Sequence, residues 1–269
     1  MLAYLLGMVK RPLTIYQQLR ADGTIAADAQ QLSAVTLLDV LFNTLESPKK
    51  SLFGRFKKSK PAKGLYLWGS VGIGKTFLMD LFYDCLTIPK RRIHFFAFML
   101  DVHRQLNQQQ GQKDPLKLIA DKVTQDINVL CFDEFFVTNI ADAMILGELF
   151  KLLFDRGIVL VATSNVAPDD LYKNGLQRER FLPAIEALKT HTDVIHLANH
   201  HDYRQLHDKP AAVYFFPLDD YNEQAMQHAF EYYSDSTTSQ PQSLTLNDHT
   251  FPVIAKHQGI LWCLFTELC

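Results

Sequence analysis

The residues best suited to chemistry lie in one glycine-rich stretch that ends in a lysine and a threonine. Residues 69–76 match the phosphate-binding pattern G-x-x-x-x-G-K-[ST], and an apolar run before them and a helical pattern after them supply the strand and helix that this motif requires. The glycines allow successive N–H groups to point at one anion. We expect the Lys75 amine to reach the β- and γ-phosphates of ATP and the Thr76 hydroxyl to bind Mg²⁺. The expected nucleotide-binding residues are Gly69, Ser70, Val71, Gly72, Ile73, Gly74, Lys75, Thr76 and Phe77.

Two acidic residues follow a second apolar run, at the point where a buried strand would end. Residues 129–132 are all apolar, as expected of a parallel strand covered on both faces, and Asp133 and Glu134 come directly after them. Ligands of open α/β sheets bind at the carboxyl ends of the strands. We therefore expect Asp133 to hold Mg²⁺, mostly through water, and Glu134 to polarise the water that attacks the γ-phosphate.

A third strand end supplies a polar side chain that can contact both this water and the γ-phosphate. The apolar residues 158–162 are followed by Thr163, Ser164 and Asn165. Because this run also ends at the carboxyl edge of the sheet, we assign the contact to Asn165, with Thr163 as the second choice. The alternative is an ordinary turn after a strand, in which asparagine and serine are common.

Two arginines near the start of a later amphipathic helix could act on a nucleotide bound by another subunit. A guanidinium from Arg178 or Arg180 would stabilise charge on the transferred phosphate in trans. The spacing equally permits surface arginines that pair with Glu179 and Glu186, and the sequence leaves these two interpretations open.

The elements that must hold these residues alternate between strands and helices, which predicts a parallel sheet. We predict an α/β fold of three layers, the P-loop NTPase fold, with a five-stranded parallel sheet, a helical N-terminal segment and a small β-rich C-terminal appendage. The strands are predicted at 64–68, 92–98, 129–132, 158–165 and 194–197, with a helix after the P-loop, a helix from residue 99 and helices at 115–124 and 141–154.

The chain divides into three predicted parts. Residues 1–63 form a helical segment that ends in a basic loop, residues 64–200 form the P-loop core, and residues 201–269 form a small C-terminal α/β appendage. The basic loop at 49–63 is either a solvated connection, which is the more common case, or a surface for an acidic partner, RNA or anionic lipid. In the appendage we expect a strand at 211–217, a helix at 221–233, a hairpin of 243–246 with 250–254, and a strand at 259–265.

Composition restricts the class of protein. The chain has 269 residues, a formal net charge of −2 and 48% hydrophobic residues, which is typical of a globular protein and gives no overall reason to expect nucleic-acid binding. The four cysteines and the histidines between 191 and 207 have no metal-ligand spacing, so we expect no metal held by them. We find no signal peptide and no apolar run long enough to span a membrane, and we expect a cytoplasmic protein.

Taken together, these motifs resemble those of the ZapE family of AAA+ ATPases, which contains a bacterial cell-division ATPase and its mitochondrial relatives. The resemblance lies in the residues around the P-loop, in the segments that follow Phe132 and Thr163, and in the stretch from Gly175 to Pro183. It extends from about Leu13 to the end of the chain. It implies that Lys75 and Thr76 are Walker A residues, that Asp133 and Glu134 are Walker B residues, that Asn165 is sensor 1, and that Arg178 or Arg180 is the arginine finger.

The resemblance also implies partners for the chain. It implies a homo-oligomer, with a hexameric ring as the expected form, association with the FtsZ division ring in bacteria, and protein quality control in the mitochondrial branch. Members of the family continue past the position of Cys269 into a lid segment that carries an arginine, so we expect this chain to lack the lid region. The expected function is Mg²⁺-dependent ATP hydrolysis that drives remodelling or regulation of a protein partner.

Two alternatives to this function stay open. The first is a nucleotide-binding regulator of the divisome with little turnover, because closure over the nucleotide would be weaker without a lid arginine. The second is an ATPase similar to the helicase loaders that acts on DNA, and its support is the basic loop at 49–63.

Overall fold

The fold is described from a computed structural model, for residues 11–47, 62–198, 219–234, 242–246, 249–257, 260–264 and 266. These residues fall into two compact units that divide between residues 204 and 205. Most of the predicted basic loop at 49–63 and all of the predicted strand at 211–217 lie outside the described residues.

The first unit is built on a five-stranded sheet in which all neighbouring strands are parallel. Its strands are β1 (Gly64–Gly69), β2 (Lys90–His94), β3 (Val129–Asp133), β4 (Val159–Ser164) and β5 (Thr192–Leu197). They lie in the order β2-β3-β4-β1-β5, which confirms the predicted parallel sheet. The chain thus places β3, β4 and β1 side by side in the middle of the sheet, and the predicted site residues follow these three strands.

Helices cover both faces of the sheet and give the three predicted layers. One core joins the sheet to α1–α3, and a second core joins it to α4–α7. Successive residues of β3 alternate between them, since Val129 and Cys131 belong to the first core and Leu130 and Phe132 to the second. The helices of this unit are α1 (Pro12–Ala21), α2 (Ala29–Glu46), α3 (Lys75–Cys85), α4 (Phe95–Gln108), α5 (Pro115–Thr124), α6 (Ile140–Asp155) and α7 (Leu182–His191).

One predicted boundary is wrong. The sequence predicts a strand that continues to Phe98, whereas β2 ends at His94 and α4 begins at Phe95. The ring atom Nδ1 of His94 accepts a hydrogen bond from the backbone N–H of Phe96 at 3.3 Å and so caps the helix. The buried residues of α4 have helical spacing and include Phe95, Phe98 and Met99. Aromatic residues are also typical of strands, and for this reason the sequence pattern was interpreted as a strand.

The predicted N-terminal helical segment is present as α1 and α2. The carboxylate of Asp28 accepts hydrogen bonds from the backbone N–H groups of Gln30 and Gln31, at 2.8 and 3.1 Å, and caps α2. Arg11 at the start of α1 forms an ion pair with Asp39 of α2. The two helices share one apolar core with α3, so they pack against the helix that follows the P-loop.

The second unit contains α8 (Asp220–Ser234) and short antiparallel strand pairs. The predicted hairpin is confirmed by β6 (Gln242–Leu246), which pairs with β7 (His249–Val253). The predicted strand at 259–265 is shorter, as β9 (Ile260–Trp262), and it pairs with β8 (Ala255–His257), which the sequence analysis missed. Across the described ranges, no helix has both the length and the apolar character needed to cross a membrane.

Gly64 begins β1 at a point where the neighbouring strand leaves no room for a side chain. A Cβ atom at this position would lie 1.7 Å from the backbone carbonyl oxygen of Leu160 in β4. The obstacle is the backbone of a central strand, which cannot move aside as a side chain can. We therefore expect Gly64→Ala to lower the free energy of unfolding by at least about 1–3 kcal/mol, the usual cost of overpacking a core. Urea denaturation of the two proteins measures this difference.

Gly147→Ala in α6 provides the matched control. The nearest atom to a Cβ there is the carbonyl oxygen of Arg180 at 3.7 Å, an ordinary contact. Since alanine favours helix over glycine, this variant should leave the free energy of unfolding unchanged or raise it by up to about 1 kcal/mol. Equal losses of stability in the two variants would contradict the steric argument.

Candidate functional site

The P-loop connects the end of β1 to the start of α3. Gly72 and Gly74 have φ values of 85° and 89°, in the left-handed region that glycine enters without strain. The helix begins at Lys75, so its first N–H groups, which have no partner within the helix, point toward the loop. A glycine-rich loop that leads into a helix N-terminus is the geometry of an anion-binding site.

Lys75 lies at the centre of this loop. The residue is 8% exposed, and its ammonium group donates hydrogen bonds to the carbonyl oxygens of Gly69 at 2.9 Å and Ser70 at 2.6 Å. The positive charge is therefore held against the loop backbone, next to the N–H groups at the start of α3.

The loop and the acidic strand end meet at Asp133. Its Oδ1 atom accepts a hydrogen bond from the hydroxyl of Thr76 at 3.0 Å and another from the hydroxyl of Thr163 at 2.8 Å. These three residues lie in α3, β3 and β4. They meet because the central strands end together at one edge of the sheet. The fold thus brings together the two residues predicted to hold Mg²⁺, although 57 positions separate them in the sequence.

Arg92 is a site residue that the sequence analysis missed. Its Nη2 atom donates to Oδ2 of Asp133 at 2.8 Å, and its Nε atom lies 3.1 Å from Oδ1 of Asp80 in α3. Burial raises the pKa of the Asp80 carboxyl; Arg92 opposes this shift and the negative charge of Asp133 adds to it. Arg92 begins the predicted strand at 92–98 but belongs to no motif, and its partner Asp133 lies 41 positions further along the chain.

Glu134 occupies a strained position immediately after β3. Its φ is 51°, in the left-handed region that a residue with a Cβ rarely adopts, and its backbone N–H donates to the hydroxyl of Thr163 at 3.1 Å. Its side chain is 70% exposed, with Oε2 at 3.0 Å from Nε2 of His94. The hydroxyl of Thr163 therefore contacts both acidic residues, and the Glu134 carboxylate faces solvent beside the end of β2.

Asn165 follows β4 at the same edge of the sheet and is exposed. Thr163 was the second choice for the residue that contacts the attacking water and the γ-phosphate. Its hydroxyl donates to Asp133 directly, and the residue is only 1% exposed. The next residue, Ser164, accepts a hydrogen bond from the backbone N–H of Val166 and donates to the carbonyl oxygen of Phe135 at 2.7 Å. These bonds hold the turn that carries Asn165.

The two arginines differ in their surroundings. Both lie in a short 3₁₀ turn, Arg178–Arg180, directly before α7. Arg178 donates from Nη2 to the backbone carbonyl of Asp169 at 2.6 Å, rather than pairing with Glu179 or Glu186. Arg180 is exposed, so its guanidinium is accessible to solvent.

A further missed residue supports the loop from the N-terminal helices. The amide of Gln31 in α2 donates to the backbone carbonyl of Ile73 at 2.9 Å. No pattern in the sequence pairs these residues, because 42 positions separate them. Beside the loop, the ring of Trp68 at the end of β1 stacks on His196 of β5 with a centroid distance of 3.8 Å.

The donor set at the strand edge fits Mg²⁺. A hydroxyl oxygen and a carboxylate oxygen lie 3.0 Å apart at Thr76 and Asp133, and Mg²⁺ prefers such hard oxygen ligands. Among the described residues, no group of three or more histidine, cysteine, aspartate or glutamate side chains could hold a metal ion. An ion at this edge would therefore need further oxygens from phosphates and water, as is usual for Mg²⁺.

Known proteins are similar in sequence to most of this chain. A family model described as AFG1-like ATPase matches residues 10–269. The cell division protein ZapE of Escherichia coli K12 is 42% identical, in an alignment that covers 96% of this chain and 73% of that protein. The Lactation elevated protein 1 homolog B of Danio rerio is 38% identical over 79% of this chain and 45% of its own length. The crystal structure of DnaI superposes with a TM-score of 0.47 and 17% identity, over 66% of this chain and 87% of that one.

The contribution of the Thr163 hydroxyl to stability can be tested by removing this hydroxyl, which forms two hydrogen bonds. Thr163→Val keeps the shape of the side chain but leaves the backbone N–H of Glu134 without its acceptor. Asp133 loses a donor at the same time, and the hydroxyl that is removed belongs to a residue only 1% exposed, so we expect the free energy of unfolding to fall by about 1–3 kcal/mol. Thermal or urea unfolding measures the change.

Thr44→Val on the exposed face of α2 is the matched control. Its hydroxyl bonds to the carbonyl of Val40 at 2.9 Å and is exposed, so water can take its place. We expect a change within about 0.5 kcal/mol, as is usual for surface substitutions. The prediction fails if the two variants have the same stability.

Proposed function

The chain belongs to the AFG1-like ATPase family, and from this premise we propose that it hydrolyses ATP with Mg²⁺ at the edge formed by the P-loop, Asp133 and Glu134. The observation that carries this proposal is the meeting of Thr76 and Asp133 at 3.0 Å. A glycine-rich loop and an acidic strand end that converge in this way form the site at which P-loop NTPases hold a nucleotide and its ion.

The loop and Lys75 would bind the phosphates. The N–H groups of the loop and of the first turn of α3 would donate to phosphate oxygens, and the positive end of the helix favours their charge. The ammonium group of Lys75 now bonds to two backbone carbonyls of the loop, and it would exchange these bonds for bonds to the β- and γ-phosphates.

Thr76 and Asp133 would hold Mg²⁺. When bound, the ion neutralises charge on the phosphate oxygens. Arg92 and Thr163 fix the Asp133 carboxylate from two sides, with hydrogen bonds of 2.8 Å each, so its orientation is set before the nucleotide arrives. Such fixed polar groups need little reorganisation during the reaction.

Glu134 would act as the general base. Its carboxylate would accept a proton from a water molecule as the water oxygen attacks the γ-phosphorus and the bond to the bridging oxygen of ADP breaks. The carboxylate now lies 3.0 Å from His94, so it must exchange this contact for the water. Asn165, exposed at the end of β4, would orient the same water and a γ-phosphate oxygen.

We further propose that the energy of hydrolysis drives remodelling or regulation of a protein partner in cell division. The support is the 42% identity to a relative named as a cell division protein over 96% of the chain. By the resemblance of the motifs, the partner is the FtsZ ring and the active form is a hexameric homo-oligomer. The exposed guanidinium of Arg180 would then reach a nucleotide on a neighbouring subunit.

Steady-state ATP turnover tests the proposed catalytic base. Glu134→Gln keeps the size of the side chain but cannot accept the proton, so we expect turnover to fall by about 100-fold or more while ATP still binds. Glu148→Gln on the exposed face of α6 is the matched control and should keep normal turnover. Chelation of Mg²⁺ with EDTA should abolish turnover of the unaltered chain.

Each outcome of this experiment has a clear meaning. Turnover that persists in Glu134→Gln would contradict the role of Glu134. Turnover that is independent of Mg²⁺ would contradict the proposed ion site. If the unaltered chain binds ATP but its turnover equals that of Glu134→Gln, the chain is a nucleotide-binding regulator with little activity.

The choice of arginine finger is tested by mixing two inactive variants. Arg180→Ala should lower turnover by about 100-fold or more, because the finger stabilises charge in the transition state. When it is mixed with Glu134→Gln, some sites combine an intact Glu134 with an intact Arg180, and part of the turnover should return. Arg104→Ala, which alters an exposed arginine of α4, should have little effect. Full turnover in Arg180→Ala, or no recovery on mixing, would contradict the assignment.

A further inference from the structure

One contact joins the N-terminal helices directly to the backbone of the P-loop. Nε2 of Gln31, near the start of α2, donates a hydrogen bond to the carbonyl oxygen of Ile73 at 2.9 Å. Gln31 is 5% exposed and Ile73 is 2% exposed. A buried carbonyl that loses its donor has no ready access to water, so the bond is costly to break.

The side chain of Gln31 is itself held in place. Its Oε1 atom accepts a hydrogen bond from the hydroxyl of Tyr16 at 3.2 Å, and Tyr16 is fully buried in α1. Because the phenol donates to the oxygen, the NH₂ end of the amide faces the loop. Burial raises the pKa of Tyr16, so its hydroxyl keeps its proton at neutral pH. The carboxylate of Asp28 fixes the backbone of Gln31 through the helix cap.

The contact decides the direction of one peptide in the loop. The carbonyl of Ile73 and the N–H of Gly74 belong to the same planar trans peptide and point in opposite directions. Holding the carbonyl toward α2 therefore turns the N–H of Gly74 away from α2. Gly72 and Gly74 on either side of Ile73 have left-handed φ values, and glycine resists rotation of a neighbouring peptide less than any other residue.

The packing of α2 on the loop is close at this point. A Cβ atom on Gly74 would lie 2.5 Å from Nε2 of Gln31. The side chain of Ile73 is buried in the core that α1 and α2 share with α3. The N-terminal helices therefore support the loop both through apolar packing and through one directed hydrogen bond.

We propose that Gln31 is a positioning residue for nucleotide binding, which holds the Ile73–Gly74 peptide with its N–H free for a phosphate oxygen. Tyr16 orients the amide of Gln31 for this purpose. The inference rests on the proposed function of the P-loop as the ATP site. It adds that α1 and α2, which lie outside the motif, set the affinity of that site.

The test compares the affinity of the full chain and its variants for ATP with Mg²⁺, by titration calorimetry well below the unfolding temperature. Gln31→Met keeps the length and burial of the side chain but loses the donor, and we expect the Kd to rise by about tenfold. Tyr16→Phe removes the hydroxyl alone, and we expect a rise of about threefold. In turnover assays the KM should rise in proportion, while kcat at saturating ATP stays within about twofold.

Gln17→Met is the matched control, because it makes the same change on the exposed face of α1. Its Kd should stay within about twofold of the original value. A purely structural role of Gln31 would lower the unfolding temperature without changing the Kd of the folded protein, so the calorimetric titration separates the two roles.

Two results would refute the inference. One is a Kd for Gln31→Met within about twofold of the original value, in a chain that itself binds ATP; the inference would then be wrong while the proposed function stands. The other is a chain that does not bind ATP at all, which would refute the proposed function as well. If Gln31→Met does not fold, Tyr16→Phe decides alone, and an unchanged Kd in that variant refutes the inference.

Discussion

The arrangement of the site depends on the carboxylate of Asp133. Three elements donate hydrogen bonds to it, through Thr76 of α3, Thr163 of β4 and Arg92 of β2. This is possible because β2, β3 and β4 are parallel neighbours and end at one edge of the sheet, beside the start of α3. A carboxylate with this many donors keeps one orientation, and the same contacts join the P-loop, the acidic strand end and the following strand into a single unit.

The two apolar cores support this unit from opposite faces of the sheet. The core of α1–α3 lies under the P-loop and contains Ile73, and the core of α4–α7 contains Phe132 and Phe135, on either side of the two acidic residues. The rings of Phe95 and Phe135 are 4.3 Å apart, so the packing of α4 is coupled to the turn after β3. Close packing of this kind transmits small displacements, and therefore the geometry of the site depends on both layers of helices.

The motifs were predictable because their evidence is local. The loop at 69–76 and the acids at 133–134 each follow a contiguous apolar run, and hydrophobic pattern and motif agree at both places. The end of β2 was not predictable, because aromatic residues at 95–98 fit a strand as well as a helix. Gln31 and Arg92 were missed for a different reason: each acts on a partner more than 40 positions away, at Ile73 and Asp133, and only the folded chain brings these partners together.

The stacking of Trp68 on His196 gives the protein an optical property. The chain has two tryptophans; Trp68 lies one residue before the P-loop in the first unit, and Trp262 lies in β9 of the second. The indole emission of the first unit therefore comes from a ring in face-to-face contact with an imidazole. Each unit carries its own tryptophan, so emission from the edge of the P-loop can be separated from emission of the C-terminal strands by changing a single residue.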